Sequence, residues 1–142
     1  MTTGDALTGE VEHKIRLLQG NPRDRIMALR GISLAPLPDR RLLALCEALL
    51  EDQTITLAGI PFTFGEVRWY AADAVAALRR ALQISDPVVL LEAFAPVTAA
   101  TAEGLLKAAG VEVKGGLDAV ADALEALAKL GRLPRHKITR MP

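Results

Sequence analysis

The stretch from Gly65 to Leu82, GEVRWYAADAVAALRRAL, decides the fold class. On a helix, with about 100° per residue, one face collects these apolar side chains: Val67, Ala71, Ala74, Val75, Leu78 and Leu82. Further alanines lie on the other sides, and alanine favours the helix and lets neighbouring backbones approach closely. We therefore expect this helix to be contacted on several faces, as an inner helix of a stacked helical array is.

The rest of the chain carries further helical patterns. Apolar residues recur with the helical period in segments near 11–20, 21–31, 39–51, 98–109 and 117–131. Asn21-Pro22 has the form of a helix cap followed by proline at the first helical position. Ser85-Asp86-Pro87 repeats that device before VVLLEAF, which predicts another helix there. Together these patterns predict an all-α protein of about seven helices.

Residues 53–64 differ from this pattern. Their apolar residues alternate in two short runs, first at Ile55 and Leu57 and then at Ile60, Phe62 and Phe64. Alternation is typical of strands, but Pro61 restricts a strand to a sheet edge. The segment is therefore expected to be either a small β-hairpin or an extended insertion.

Two segments suggest an internal repeat. NPRDRIMALRGI (21–32) and FGEVRWYAADAVAAL (64–78) both have a polar opening, an arginine, and then alanine and leucine at helical spacing. The arginines, Arg25 and Arg68, are 43 residues apart, and a leucine-rich segment follows each helix. A period near 40 residues with two helices per unit is typical of HEAT-type solenoids.

The segment GEVRWYAADAVAAL, between LLALCEALLED and DPVVLLEAF, resembles the bacterial HEAT-like repeats over about residues 20–94. The resemblance implies a short α-solenoid of helical hairpins. It also implies that Arg68 is a structural arginine that bridges neighbouring turns, and that the core includes Val67, Ala71, Ala72 and Leu78. The long insertion before Phe64 and the C-terminal third from Thr98 depart from the family pattern.

Composition narrows the class of protein. At 142 residues and 51% hydrophobic content, the chain is expected to form one domain, 1–142. The 17 basic and 17 acidic residues give no net charge, which disfavours a general attraction to nucleic acid or membrane. The polar N-terminus lacks the pattern of a secretory signal, and no apolar run is long enough to span a bilayer. We therefore expect a cytoplasmic protein.

Residues with catalytic or metal-binding chemistry are sparse. Cys46 is the only cysteine and lies in an apolar helical run, where a core position is expected rather than a reactive thiol. The two histidines, His13 and His136, have no neighbour at metal-ligand spacing. The acidic residues have the spacing of solvated helix faces. The sequence thus predicts no catalytic residue, no cofactor and no metal site.

The aromatic residues indicate a surface for another protein. Four of the five lie within nine residues, at Phe62, Phe64, Trp69 and Tyr70, and Trp and Tyr often dominate binding energies at interfaces. Trp69 lies about 200° from Val67 and from Ala71 on the helix, on a side shared with charged residues. The predicted partner-binding residues are Phe62, Phe64, Trp69, Asp73 and Arg80. The alternative is that the aromatic side chains pack the insertion onto the helices.

The C-terminal residues 132–142 form a basic tail, predicted to be flexible or partly docked. Arg132, Arg135, Lys137 and Arg140 occur there without any acidic residue. These side chains are candidates for contacts with phosphate groups or with an acidic partner. Because no aromatic residues are interleaved with them, the pattern disfavours nucleic acid as the partner.

The sequence as a whole favours a non-enzymatic helical-repeat module that binds another protein or a peptide. The resemblance implies a bacterial adaptor, regulatory subunit, or inhibitor of an effector or toxin. One alternative is an accessory enzyme or chaperone similar to the bilin lyases, because some HEAT-like repeats belong to that class. Another is a self-associating structural protein, since an open repeat leaves apolar surface that a second copy could cap.

Overall fold

The structure, a computed structural model, describes residues 3–58, 62–84 and 89–140. These residues form six α-helices: α1 (Thr3–Leu18), α2 (Pro22–Leu34), α3 (Arg40–Ala48), α4 (Val67–Ala81), α5 (Ala99–Ala108) and α6 (Leu117–Lys129). They also form four strands: β1 (Ile55–Ala58), β2 (Thr63–Glu66), β3 (Val89–Ala93) and β4 (His136–Arg140). The fold is therefore rich in helix, as the sequence predicts, but it contains two small sheets.

Capping residues set the starts of the early helices. The side chain of Asn21 accepts a hydrogen bond from the backbone N–H of Asp24, and Pro22 occupies the first turn of α2. The side chain of Asp39 accepts bonds from the first N–H groups of α3. Such caps typically contribute about 1 kcal/mol each. Gly31 was expected to end α2, but the helix continues to Leu34 and stops before the prolines that follow.

Helix α4 is the central element of the first core. It contacts α2, α3, β3 and β4, so other elements cover it on several sides. Nine of its residues are buried, and they include Ala72, Ala76 and Ala77, which lie off the main apolar face. Alanine is used there because these elements need space close to the backbone of α4. The alanine pattern is thereby explained by contacts on several faces.

The start of α4 is held by backbone carbonyl groups rather than by a side-chain cap. The N–H of Val67 donates to the carbonyl oxygen of Thr54 at 3.0 Å, and the N–H of Arg68 donates to that of Asp52 at 2.9 Å. The carboxylate of Asp52 also accepts a 2.8 Å bond from the guanidinium of Arg25. Asp52 therefore connects α2 to the first turn of α4, satisfying an N–H that a helix start leaves without a partner.

The segment before α4 is a β-hairpin. Strands β1 and β2 pair antiparallel, with Ile55 opposite Glu66 and Ala58 opposite Thr63. Phe64 also exchanges two backbone hydrogen bonds with Val97, which extends the pairing beyond β2. The hairpin alternative for residues 53–64 is confirmed, while Ile60 and Pro61 lie outside the described residues.

The prediction of a helix in VVLLEAF is wrong. Residues 89–93 form β3, which pairs antiparallel with β4 from Val89 opposite Arg140 to Ala93 opposite His136. The described residues therefore contain six α-helices rather than seven. The second of the two proposed repeat units also has a strand where its second helix was expected, so a two-helix repeat and an α-solenoid are not confirmed.

The basic C-terminal segment supplies β4. Ile138 is fully buried and joins the first core, alongside Ala93 of β3. Its neighbours Lys137 and Thr139 are exposed, as the alternation of a half-buried strand requires. One apolar side chain among basic residues thus docks this segment onto the helices.

A second core lies between the hairpin and the last two helices. Phe64 and Phe94 pack there with side chains from α5 and α6, among them Ala102, Leu106, Val120, Leu124 and Leu127. The first core collects apolar residues from α1 to α4 together with β3 and β4. Residues 64–68 run from one core to the other. None of the helices in the described part is both long and apolar enough to cross a membrane.

Candidate functional site

The side of α2 that faces away from the core is exposed. Ile26, Leu29 and Ile32 are buried on the inner side. The outer side carries four residues spaced by four, three and four positions: Arg23, Met27, Arg30 and Leu34. Leu34 is 86% exposed and Met27 is 57% exposed. Large apolar side chains this exposed, arranged on one helix face, indicate a surface for a partner.

The hairpin adds an aromatic side chain to this surface. Phe62, immediately before β2, is 53% exposed. The guanidinium carbon of Arg23 lies 5.5 Å from the centre of its ring, a cation–π contact worth about 0.5–1 kcal/mol at an exposed site. This contact fixes Phe62 beside the N-terminal end of α2. We call Arg23, Met27, Arg30, Leu34 and Phe62 the α2 surface.

Two depressions border the α2 surface. The first, of about 390 Å³, lies at the C-terminal end of α2 and is lined by Arg30, Ser33, Leu34, Thr63, Tyr70, Asp73 and Pro96. The second, of about 380 Å³, lies at the N-terminal end and is lined by Arg23, Thr56, Leu57, Gly116, Leu117 and Asp118. Each depression holds one arginine and one aspartate. Each is large enough to receive side chains of a partner.

The structure separates the two phenylalanines that the sequence placed together. Phe62 belongs to the α2 surface, but Phe64 is 0% exposed and is part of the second core. The side chain of Phe64 therefore presents no surface to a partner. The reason is that strand β2 starts at Thr63, so Phe62 lies outside the alternation that turns Phe64 inward.

The remaining predicted partner-binding residues lie on α4. Trp69 is half-buried and packs against the first core. Asp73 is half-buried and lines the first depression with Tyr70, whose hydroxyl lies 3.2 Å from that of Thr63. Arg80 is exposed near the C-terminal end of the helix. Of the five predicted residues, the structure thus places Phe62 in the α2 surface and Asp73 at its border.

Sequence reasoning missed Met27 and Leu34. Met27 was assigned to a helix of which only the buried face was considered, and Leu34 lay beyond the helix end predicted at Gly31. The signal was present, because the four-three-four spacing places Met27 and Leu34 within about 20° of each other, opposite Ile32. A search for large apolar residues on the polar side of each amphipathic helix would have identified them.

One basic residue of the C-terminal segment makes a contact within the fold. The guanidinium of Arg132 donates a 3.1 Å hydrogen bond to the carbonyl oxygen of Ala109, at the end of α5. Arg135 and Lys137 are exposed, and the side chain of Arg140 lies outside the described residues. Arg132 is therefore engaged in holding α5 to the segment after α6, which gives it a role within the fold.

A buried ion pair lies where the chain passes between the two cores. Nε of Arg68 is 2.6 Å from Oε2 of Glu66. Among the described residues, these two are the only charged residues that are buried. The same carboxylate oxygen accepts a 3.2 Å bond from the backbone N–H of Phe94. The resemblance implied a structural role for Arg68 between neighbouring turns. The observed partner is instead the residue that precedes α4.

A third depression, of about 480 Å³, lies between α5 and α6. Its wall includes Leu106 and Val120, and its rim carries Glu103, Lys107 and Glu112. Two carboxylates and a single ammonium on the rim do not favour an anionic ligand. This depression is distant in sequence from the predicted partner-binding residues.

The thiol of Cys46 is fully buried in the first core. Burial, and to a smaller extent the charge of Glu47, raises the pKa of the Cys46 thiol from 9.0 to about 12. Because the thiolate is the reactive form, the native thiol is protected both by its position and by its pKa.

We predict that a disulfide-exchange reagent at pH 8 labels Cys46 in the native protein at least about 100-fold more slowly than in the unfolded chain. Because the folded pKa is raised, this thiol also contributes stability that is complete below about pH 9 and is lost as pH rises towards about 12. Absorbance of the released reagent, with and without denaturant, measures the labelling rates. Rapid native labelling would contradict the core assignment.

Within residues 3–58, 62–84 and 89–140, the His, Cys, Asp and Glu side chains form no group of three or more that could hold a metal ion. Comparisons with protein-family models, curated proteins and solved structures found no match to this chain.

Proposed function

We propose that this chain is a non-enzymatic protein-binding module and that the α2 surface is its binding site. The observation that carries the proposal is the exposure of Met27, Leu34 and Phe62 on one side of the molecule. Together with the cation–π contact and the flanking depressions, they form a mixed apolar and cationic surface. Aromatic residues, methionine and arginine are the residue types enriched at the centres of protein interfaces.

The energetics support binding at this surface. Covering apolar surface contributes about 25 cal/mol per Å², and three large side chains more than half exposed leave much of that contribution unused. The cations are already positioned: Arg23 is held by Phe62, and Arg30 lines a depression with Asp73. A partner would therefore gain burial without having to order the whole surface first.

The cellular role that we propose within this class is an adaptor, a regulatory subunit or an inhibitor of a bacterial effector, and it rests on the sequence resemblance. The buried thiol of Cys46 gives no support to an accessory enzyme that uses a cysteine nucleophile. Self-association is favoured by the spacing of Arg23, Met27, Arg30 and Leu34 along the outer side of α2.

The proposal is tested by Leu34→Asp in the immobilised chain, used as bait in an extract of its own host. Leu34 is almost fully exposed, so its replacement should leave the fold intact while replacing the most exposed apolar side chain of the α2 surface by a charge. We expect the captured partner to bind at least about tenfold more weakly, which corresponds to a moderate interface residue. Capture is quantified by mass spectrometry against the wild-type bait.

Leu130→Asp is the matched control. Leu130 is 69% exposed at the end of α6, about 20 Å along that helix from Leu117, which lines a flanking depression. A partner lost with Leu34→Asp but retained with Leu130→Asp supports the α2 surface. Equal capture by the wild type and both variants would overturn the assignment of the site.

A further inference from the structure

We infer that the occupant of the α2 surface is a second copy of this chain, with the two α2 helices packed antiparallel about a twofold axis. This inference rests on the proposed function and specifies its partner. Arg23 and Arg30 are seven residues apart, as are Met27 and Leu34, and a seven-residue repeat is the spacing of the contact seam between two paired helices. The core-facing side of α2 does not use this seam.

The order of residues along the seam makes it complementary to itself. In an antiparallel pair centred between residues 28 and 29, Arg23 lies opposite Leu34 of the second copy, and Met27 lies opposite Arg30 of the second copy. Each arginine can then lay its aliphatic stem on an apolar side chain while its guanidinium stays at the edge. A twofold axis produces each contact twice, as a closed dimer interface requires.

A parallel pair is disfavoured by charge. It would place Arg23 opposite Arg23 and Arg30 opposite Arg30, and like charges directly opposed across an interface are unfavourable. The antiparallel arrangement instead alternates cationic and apolar residues across the seam. The charge pattern thus selects one orientation of the second copy.

The borders of the surface also suit a second copy. One flanking depression is lined by Arg30 and Asp73, and the other by Arg23 and Asp118. The α2 surface and its borders therefore carry two positive and two negative charges, so two copies meet without net repulsion. A strongly acidic or strongly basic partner would gain nothing from this balance. The exposed apolar side chains of each copy would be buried by those of the other copy.

The primary test is sedimentation velocity of the purified chain from low to several hundred micromolar concentration. We expect the wild type and Leu130→Arg to shift from monomer to dimer within this range. Leu34→Arg should weaken the dimer at least about tenfold, because it places a second guanidinium opposite Arg23 of the second copy, and like charges directly opposed across an interface are unfavourable. A wild type that stays monomeric throughout, or a dimer unaffected by Leu34→Arg, would overturn the inference.

Crosslinking tests the orientation. Because Cys46 is buried, Met27→Cys and Leu34→Cys each carry a single accessible thiol. In the antiparallel pair the two positions 27 are offset by about 4–5 Å along the axis, and the two positions 34 by about 16 Å. A short bifunctional maleimide should therefore join Met27→Cys dimers and leave Leu34→Cys mostly unjoined. Equal joining of both variants would contradict the antiparallel arrangement.

The failure of this inference differs from failure of the proposed function. A monomer in sedimentation, combined with a host protein that is lost only with Leu34→Asp, would reject the second copy while retaining the binding site. Circular dichroism of Leu34→Asp and Leu34→Arg checks that both variants are folded.

Discussion

Glu66→Gln should lower the free energy of unfolding by about 3–5 kcal/mol, the usual cost of removing one partner of a buried ion pair. Glu66 is 0% exposed and Arg68 is 7% exposed, so solvent cannot replace the lost carboxylate charge. The change also weakens the acceptor for the backbone N–H of Phe94. Because this oxygen joins the start of α4 to the end of β3, the loss affects both cores.

Chemical denaturation followed by circular dichroism measures this effect. The matched control is Glu12→Gln, which removes the carboxylate of an exposed pair with Arg41 and should cost less than about 1 kcal/mol. In the double variant Glu66→Gln with Arg68→Met, we expect part of the lost stability to return, because no unpaired charge stays buried. A cost for Glu66→Gln as small as that for Glu12→Gln would refute the structural importance of the pair.

Phe64→Ala should cost about 3–5 kcal/mol of stability, as truncation of a buried phenylalanine usually does. The side chain is fully buried in the second core, where it packs with Phe94 and with side chains of α5 and α6. Its removal leaves a cavity between the hairpin and these helices. The two backbone bonds between Phe64 and Val97 hold the hairpin to the segment just before α5. The surrounding structure can therefore relax only in part.

Phe62→Ala is the comparison for this prediction, because the two residues are the same type and lie two positions apart. Phe62 is more than half exposed, and its loss removes a cation–π contact with Arg23, so we expect a cost of about 1 kcal/mol or less. For binding at the α2 surface the expected order is the opposite, because Phe62→Ala removes a side chain of that surface and should weaken binding directly. Thermal melts that rank the two variants equally would contradict the assignment of Phe64 to the core and Phe62 to the surface.

The position of Trp69 on α4 gave only part of its surroundings. Its angle from Val67 and Ala71 places it away from the main face of α4, which predicts a partly exposed side chain covered by the insertion, another copy or a partner. In the structure it is half-buried and packs against the first core. Because α4 is contacted on several faces, part of the cover comes from the protein itself.

Local physical chemistry in the sequence determined most of the helices. The caps at Asn21 and Asp39, the helical period of the apolar residues, and the alanines of α4 each act within a few residues, so they can be identified without a structure. The buried position of Cys46 follows from a pattern of the same short range. The alternation at 53–64 left a hairpin and an extended insertion open, and the pairing of β1 with β2 decided between them.

Only the tertiary structure decided the features that depend on residues far apart. Residues 89–93 form a strand because residues 136–140 pair with them, and no local pattern in VVLLEAF indicates that partner. The pairing of Arg25 with Asp52 and the approach of Glu66 to Phe94 likewise require the folded chain. The α2 surface depends on both. The spacing of its residues along the helix can be read from the sequence, but their exposure beside Phe62 depends on which face of α2 is covered by α4.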